Sequence, residues 1–268
     1  MEAQYISSED NKIIKQINSL KMRKQRKKLG KFIVEGYRVI VDCLSSNSQI
    51  IDFVVFSSSA IESSEGKKLF KTLMLNHKVF EVPDKLFKKI TETENPQGML
   101  AVVNMIDFKL DTLLNKEDNS IFIILDRIQD PGNMGTIIRT AVAINAKAVI
   151  LTKGSVDPYN SKTVRSTMGA VFNIPIIEIE DNSWVTALKE NNIRLIGSTL
   201  DTQKSYLQID YSGGLGIIIG NEANGIDPQL LEEVDEKVYI PIIGNIESLN
   251  ASVAAGVLLY KAIEHVHK

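Results

Sequence analysis

The chain has 268 residues and a formal net charge of −2, with 44% hydrophobic and 24% charged residues. That balance belongs to a soluble globular protein and excludes wholesale disorder, collagen and coiled coil; the length suits two domains better than one core. No apolar run approaches the ~18–20 residues of a membrane span, MEAQYISSED has no apolar signal region, and the single Cys43 cannot form an intramolecular disulfide or complete an ordinary zinc site, so a cytoplasmic protein without a metal is expected.

The first signal along the chain is charge. Between Asn11 and Val34 lie nine Lys and Arg residues and no acid, among them Lys21, Arg23, Lys24, Arg26, Lys27 and Lys28. Ile13, Ile17 and Leu20 recur at i, i+4 and i+7, which predicts an amphipathic helix with a one-sided positive face. A solvated helix usually mixes signs for i,i+4 pairing, so nine bases without an acid favour contact with a polyanion. Strands and helices then alternate through KFIVEGYRVI, IDFVVFSS, KLFKTLML, VFEVP and GMLAVVNM, the pattern of a small α/β layer domain. Glu35-Gly36 reads as a turn and cap. The segment 107–118 is polar without a clear period and reads as a linker around a short helical turn. Residues 1–106 hold 17 bases and 12 acids, net +5; residues 107–268 hold 14 and 21, net −7.

The second half is more regular. Apolar strands are predicted at 120–128, 148–152, 174–179, 194–200, 215–220 and 236–242, with helices at 136–144, 162–172, 183–191 and 248–267. Such strands between helices of about ten residues predict a parallel sheet buried on both faces. Ligands of these sheets bind outside the carboxyl ends of the strands, and three ends are rich in Gly, Asn and Ser.

In LDRIQDPGNMGTIIRTA (125–141) the run DPGN reads as a forced turn, with a helix from about Thr136 and Arg139 in its first turn. A cation there opposes the helix dipole and suggests another task, although a plain surface arginine is the alternative. Asn133 and Arg139, six residues apart, are expected to share one mouth. In GLGIIIGNEANGID (214–227), Gly214 and Gly216 precede IIIG and do not open a helix after it, so a dinucleotide fingerprint fails on context. Gly220 and Asn221–Gly225 follow the strand and allow close backbone approach without a Lys for phosphate; a neutral or cationic adenosine-type ligand fits better. In YIPIIGNIESLNASVAAG (239–256), Ser248 is the expected N-cap of a helix whose first half is built of small residues. Simple capping and tight packing read equally well there.

Taken together, DPGNMGTIIRTA, IIIGNEANGI and IPIIGNIESLNASVAAG resemble motifs 1, 2 and 3 of the SpoU/TrmH branch of the SPOUT RNA methyltransferases, in order and spacing throughout 120–268. SKTVRSTMGAVFNIPI (161–176) resembles the stretch between motifs 1 and 2. Residues 1–106 are similar to the L30e-like substrate-binding domain of rRNA-directed members. The resemblance implies an L30e-like α/β domain (1–106), a linker (107–118) and a SPOUT α/β domain (119–268) with a parallel sheet and a deep C-terminal trefoil knot. It implies S-adenosylmethionine bound against Gly220, Asn221, Ile240, Ile242, Leu249 and Ala254. Asn133, Arg139, Glu222, Ser248 and Asn250 fall on catalytic and structural positions. It also implies a homodimer through the knotted domain and a 2′-O-methylated ribose in RNA.

Ribosomal RNA, and 23S rRNA by family analogy, is expected over tRNA because an added basic domain is present. Arg165 is expected to touch phosphate with the basic helix. Arginine stays protonated, so Arg139 is expected to stabilise a developing alkoxide and hold a phosphate, not to act as a base. His77, His265 and His267 lie outside the motifs. Competing readings are a Rossmann-type methyltransferase, a non-catalytic RNA-binding protein and a cysteine-dependent base methyltransferase; Cys43 is expected to be a small buried hydrophobe.

Overall fold

Alternating and continuous apolar runs dictate two sheets. The computed structural model describes residues 3–115 and 119–266; residues 116–118 of the expected linker and His267 of the expected last helix lie outside the described residues. The chain forms two compact units, one of Met1–Ile106 with Tyr159–Phe172, the other of Asp107–Pro158 with Asn173–Lys268.

In the first unit β1 (Gln4–Tyr5), β2 (Lys31–Glu35), β3 (Ile51–Ser57), β4 (Lys78–Val82) and β5 (Met99–Asn104) form a mixed sheet in the order β1-β4-β3-β5-β2. Strand β5 runs antiparallel to β2 and β3, and the other pairs are parallel. Period-two alternation sends Phe53, Val55, Leu100 and Val102 to one face, against α1 (Lys12–Ser19) and the helix Asp84–Ile90. Val54, Phe56, Ala101 and Val103 meet α3 (Tyr37–Asn47) and α5 (Ser64–Leu73) on the other; α4 (Ser58–Glu62) lies between those two in sequence, and Asp84–Ile90 is α6. Cys43 sits in this core, 0% exposed, and burial pushes its thiol up to about 12, so it is no nucleophile.

The basic segment is not the single helix its spacing predicts. It breaks after α1 and resumes as α2 (Arg23–Leu29), because Leu20 turns into the core and Met22 is extended. Arg26 stitches the break: its guanidinium donates to the carbonyl oxygens of Leu20 and Lys21 at 2.7 and 2.9 Å, and the residue is 6% exposed.

Segment Tyr159–Phe172 belongs with this unit, which corrects the unbroken second domain expected from 119 to 268. Its apolar side chains explain the capture. Val164 enters the first core, and Tyr159 and Phe172 lie on Phe32 with ring centroids 4.8 and 6.3 Å apart. The helix there covers only Ser161–Thr167, ending where Met168 turns left-handed, and a short 3-10 turn follows. The expected linker 107–118 is likewise no free tether: Leu110 is buried in the second unit's core, with Phe108, Leu113 and Leu114 packed against it.

In the second unit, β6 (Ile121–Leu125), β7 (Ala148–Thr152), β8 (Ile176–Ile179), β9 (Ile193–Ser198), β10 (Gly214–Ile219) and β11 (Glu236–Val238) form a six-stranded sheet in the order β11-β9-β10-β6-β7-β8. Every pairing is parallel. One face packs on the helix Ser183–Glu190 through Trp184 and Leu188. Helix α7 is Pro131–Ala143, and the long last helix Ala251–Val266 packs on it and on β10. Gly216 is explained by packing within this sheet, since a Cβ would lie 2.6 Å from Leu195 Cδ2. No described helix is long and apolar enough to cross a membrane.

Candidate active site

The strand order reverses at β6. From there the chain goes to β7 on one side, while β10 is its neighbour on the other. Such a switch point opens a crevice outside the carboxyl ends of the strands. The loops after β6 and β10 meet there, joined by the segment before the last helix.

The loop after β6 is a helix start, not a turn. Asp130 caps α7 by accepting the Asn133 amide N–H at 2.8 Å, and Pro131 supplies a preset φ in the first turn. This corrects the expected start at Thr136 and with it the placement of Arg139, which lies about two turns into the helix and not in its first turn. The dipole argument for Arg139 therefore fails. Asn133 is buried, whereas Arg139 is exposed and has no hydrogen bond or ion pair among the described residues. Six residues on a helix separate them by ~120° of rotation, so they do not share one face.

Asn133 links all three loops. Its Nδ2 donates to Glu222 Oε1 at 3.0 Å and its Oδ1 accepts from Asn250 Nδ2 at 2.9 Å. Glu222 also accepts the backbone N–H groups of Gln129 and Asp130 at 3.3 and 3.4 Å. Partial burial works to raise the Glu222 pKa, but the hydrogen bonds from Asn133 and the backbone outweigh it and hold the carboxyl below its ordinary value.

The second loop is a closed miniature. Asn221 and Gly225 exchange backbone hydrogen bonds at 3.0 and 2.9 Å, and Asn221 Oδ1 accepts from the N–H groups of Ala223 and Asn224. Gly220 is required by close approach: a Cβ there would lie 2.2 Å from Ile226 N. In the third segment the last helix begins at Ala251, not Ser248. The cap is Asn250, whose Oδ1 accepts from Ser252 N and Oγ at 2.9 and 2.7 Å. Strand β11 ends at Val238, so Ile240 and Ile242 lie on loop and not on the strand expected to 242.

These segments border a cleft of about 820 Å³, within the range of small-molecule sites. Gly220, Asn221, Glu222, Ile240, Ile242, Ser248, Leu249, Asn250 and Ala254 all line it. Asn133 reaches it through Glu222 and Asn250, and Arg139 does not line it. Asp201 and Glu247 add acidity, and no Lys or Arg contributes to the lining. Sequence reasoning did not point to Ser198, the last residue of β9, or to Thr199–Asp201, which follow it at the same edge of the sheet, although that placement could have marked them. Nor did it single out Arg127, whose backbone is left-handed at φ 56°. An apolar floor with carboxylates at its rim suits an adenosine-type ligand that carries positive charge and disfavours a triphosphate.

The basic residues lie in the first unit. Arg23, Lys24, Lys27 and Lys28 are exposed on α2, and Lys21 donates to the Lys89 carbonyl at 3.2 Å. Arg26 is buried and structural, which corrects its expected contact with RNA. Arg165 is exposed and belongs to this unit too, not to the second one.

The SpoU rRNA Methylase family matches residues 120–260, and the MRM3-like substrate binding domain matches residues 11–101. The chain is 34% identical to the 23S rRNA (guanosine(2553)-2′-O)-methyltransferase RlmP of Bacillus subtilis, over 95% of this chain and 97% of that one. It is 30% identical to the 23S rRNA (uridine(2479)-2′-O)-methyltransferase of Streptomyces viridochromogenes, over 90% and 85%. An AdoMet-bound rRNA methyltransferase from Sinorhizobium meliloti superposes with a TM-score of 0.86 at 31% identity, covering 98% of both chains.

Proposed function

The chain belongs to the SpoU rRNA Methylase family, and on that premise we propose that it transfers the methyl group of S-adenosylmethionine to a ribose 2′-hydroxyl of ribosomal RNA, 23S rRNA in particular. The observation that carries this is the cleft at the switch point, apolar at Ile240, Ile242 and Leu249 and acidic at Asp201, Glu222 and Glu247. S-adenosylmethionine, when bound, supplies an activated methyl on a sulfonium cation, so the protein's task is positioning and charge control.

Gly220 and Asn221 would hold the adenosine against backbone, with Ile240, Ile242, Leu249 and Ala254 around it. Glu222 fixes Asn133, and Asn133 fixes Asn250, so the polar groups of three loops hold one arrangement before substrate arrives. Ser248 and Asn250 would orient the ribose. Arg139, permanently charged and free of partners among the described residues, would steady the developing alkoxide and an adjacent phosphate.

The finer architecture of this reading is a trefoil knot closed by the last segment, an L30e-like first unit and a homodimer through the second. Exposed Val253 and Tyr260 on the last helix support pairing of two copies, and α7, which carries Arg139, packs on that helix. A site completed across such a pair accounts for an arginine that stands apart from its own cleft. The first unit would dock RNA through Lys21, Arg23, Lys24, Lys27, Lys28 and Arg165, in a cytoplasmic setting. Mapping 2′-O-methylation across total RNA in cells with and without the gene tests the function. Loss of one mark in 23S rRNA is the expected result; loss confined to tRNA, or no loss, overturns it.

A further inference from the structure

We propose that Arg127, seated by Asp126, is a positioning residue that holds the loop Gly220–Gly225 in place as a wall of the cofactor cleft. Neither residue lines the cleft, so the effect is indirect, and the inference rests on reading that cleft as the cofactor site.

Asp126 ends the central part of the sheet just after β6 and is 2% exposed. A carboxylate so placed is costly unless its oxygens are filled. Thr152 Oγ1 donates to Oδ1 at 2.8 Å; the Asp227 backbone N–H donates to Oδ2 at 2.8 Å; and Arg127 Nε and NH2 donate to Oδ2 at 3.1 and 3.0 Å. Arg127 adopts a left-handed φ of 56°, which costs a non-glycine residue and persists only where neighbours enforce it. Its own N–H donates to Thr152 Oγ1 at 3.1 Å, and its stem lies over Gly154, where a Cβ would come within 3.3 Å of Arg127 Cγ.

From that seat Arg127 grips both ends of the loop. Its carbonyl oxygen accepts Asn221 Nδ2 at 2.9 Å. Its NH2 donates to the Gly225 carbonyl at 3.3 Å, and NH1 lies 3.5 Å from Asp227 Oδ2. The backbone of Asn221–Gly225 is already pinched into one unit, so two grips fix its height above the sheet. A side-chain carbonyl contact alone would not need a strained backbone. The left-handed turn is what aims the Arg127 carbonyl at Asn221 while the guanidinium returns to Gly225.

The test uses the full chain with Arg127→Ala and Arg127→Lys. Calorimetry measures S-adenosylmethionine binding, and hydrogen exchange without cofactor follows the peptide spanning 220–225. In Arg127→Ala, Kd is expected to rise about tenfold, the loss of ~1.4 kcal/mol from one charge-assisted contact. Exchange of 220–225 accelerates while that of β6 and β10 does not, and kcat at saturating cofactor stays within about twofold of wild type. Arg127→Lys keeps the charge beside Asp126 and recovers part of the affinity. Unchanged Kd and unchanged exchange overturn the proposal, and so does faster exchange across the whole unit, which marks a merely structural role. Should wild type bind no S-adenosylmethionine, the cofactor reading of the cleft fails by itself. The exchange arm then still decides whether Arg127 holds the loop.

Discussion

The Asn133 side-chain amide donates to a Glu222 carboxylate oxygen at 3.0 Å, across 89 residues of chain. That bond fixes the Asn133 flip, because the oxygen on its other side must accept from Asn250. Glu222 titrates below its ordinary 4.5 when folded. A group with a depressed folded pKa stabilises above its unfolded pKa, and that contribution is lost as pH falls through the folded value. Glu222→Gln is therefore expected to melt below wild type at neutral pH, with the gap closing as pH drops below the ordinary glutamate value. Asn133→Asp sets a second carboxylate against Glu222 and removes the donor, so it lowers the neutral melting temperature further. Thermal denaturation across pH checks both.

Arg139 separates stability from turnover. It is exposed and unpaired among the described residues, so Arg139→Ala is expected to shift stability by less than about 0.5 kcal/mol. Single-turnover methyl transfer is expected to fall by about 100-fold or more, the scale of losing one preorganised donor at developing charge. Arg139→Lys keeps the charge without the planar fork and should not restore the rate. Equal rates for Lys and wild type would sink the need for the fork.

The basic segment divides into two classes. Arg26→Ala strips charged donors from the Leu20 and Lys21 carbonyls, costing ~1–3 kcal/mol of stability. Lys24→Ala and Lys28→Ala leave stability near wild type, and each lowers the salt dependence of RNA binding by about one unit of slope. Urea melts and RNA titrations over a salt series separate the classes.

Gly220→Ala places a methyl 2.2 Å from Ile226 N and 2.3 Å from the Gly225 carbonyl carbon. Both are backbone atoms, so the loop must move. S-adenosylmethionine binding, read by calorimetry, is expected to weaken about 10–100-fold, in line with ~1–3 kcal/mol for overpacking.

The second sheet was legible because its strands are short, apolar and β-branched, and its loops are punctuated by Gly, Pro and Asn. Helix starts were not. Asp130-Pro131 is chemically both a turn and a cap, and only the 2.8 Å bond from Asn133 N decides between them. Nine bases concealed the fact that one, Arg26, points inward, because charge patterning records composition and not rotamers. Val164 and Phe172 lie in a stretch expected in the second half, yet they join the first core, and sequence alone does not say which core an apolar side chain will join. Arg127 was invisible for a related reason: its left-handed backbone is imposed by neighbours distant in sequence.

Because Tyr159–Phe172 folds into the first unit, the polypeptide passes between the two units three times. A single cut near residue 106 would therefore free neither. The excised N-terminal piece would leave Phe32 bare of Tyr159 and Phe172, and the remainder would carry a helical segment whose apolar side chains have no core to join. A chimera meant to exchange substrate choice with a relative has to graft two discontinuous stretches together. The two units are thus separate in their packing but interleaved along the chain.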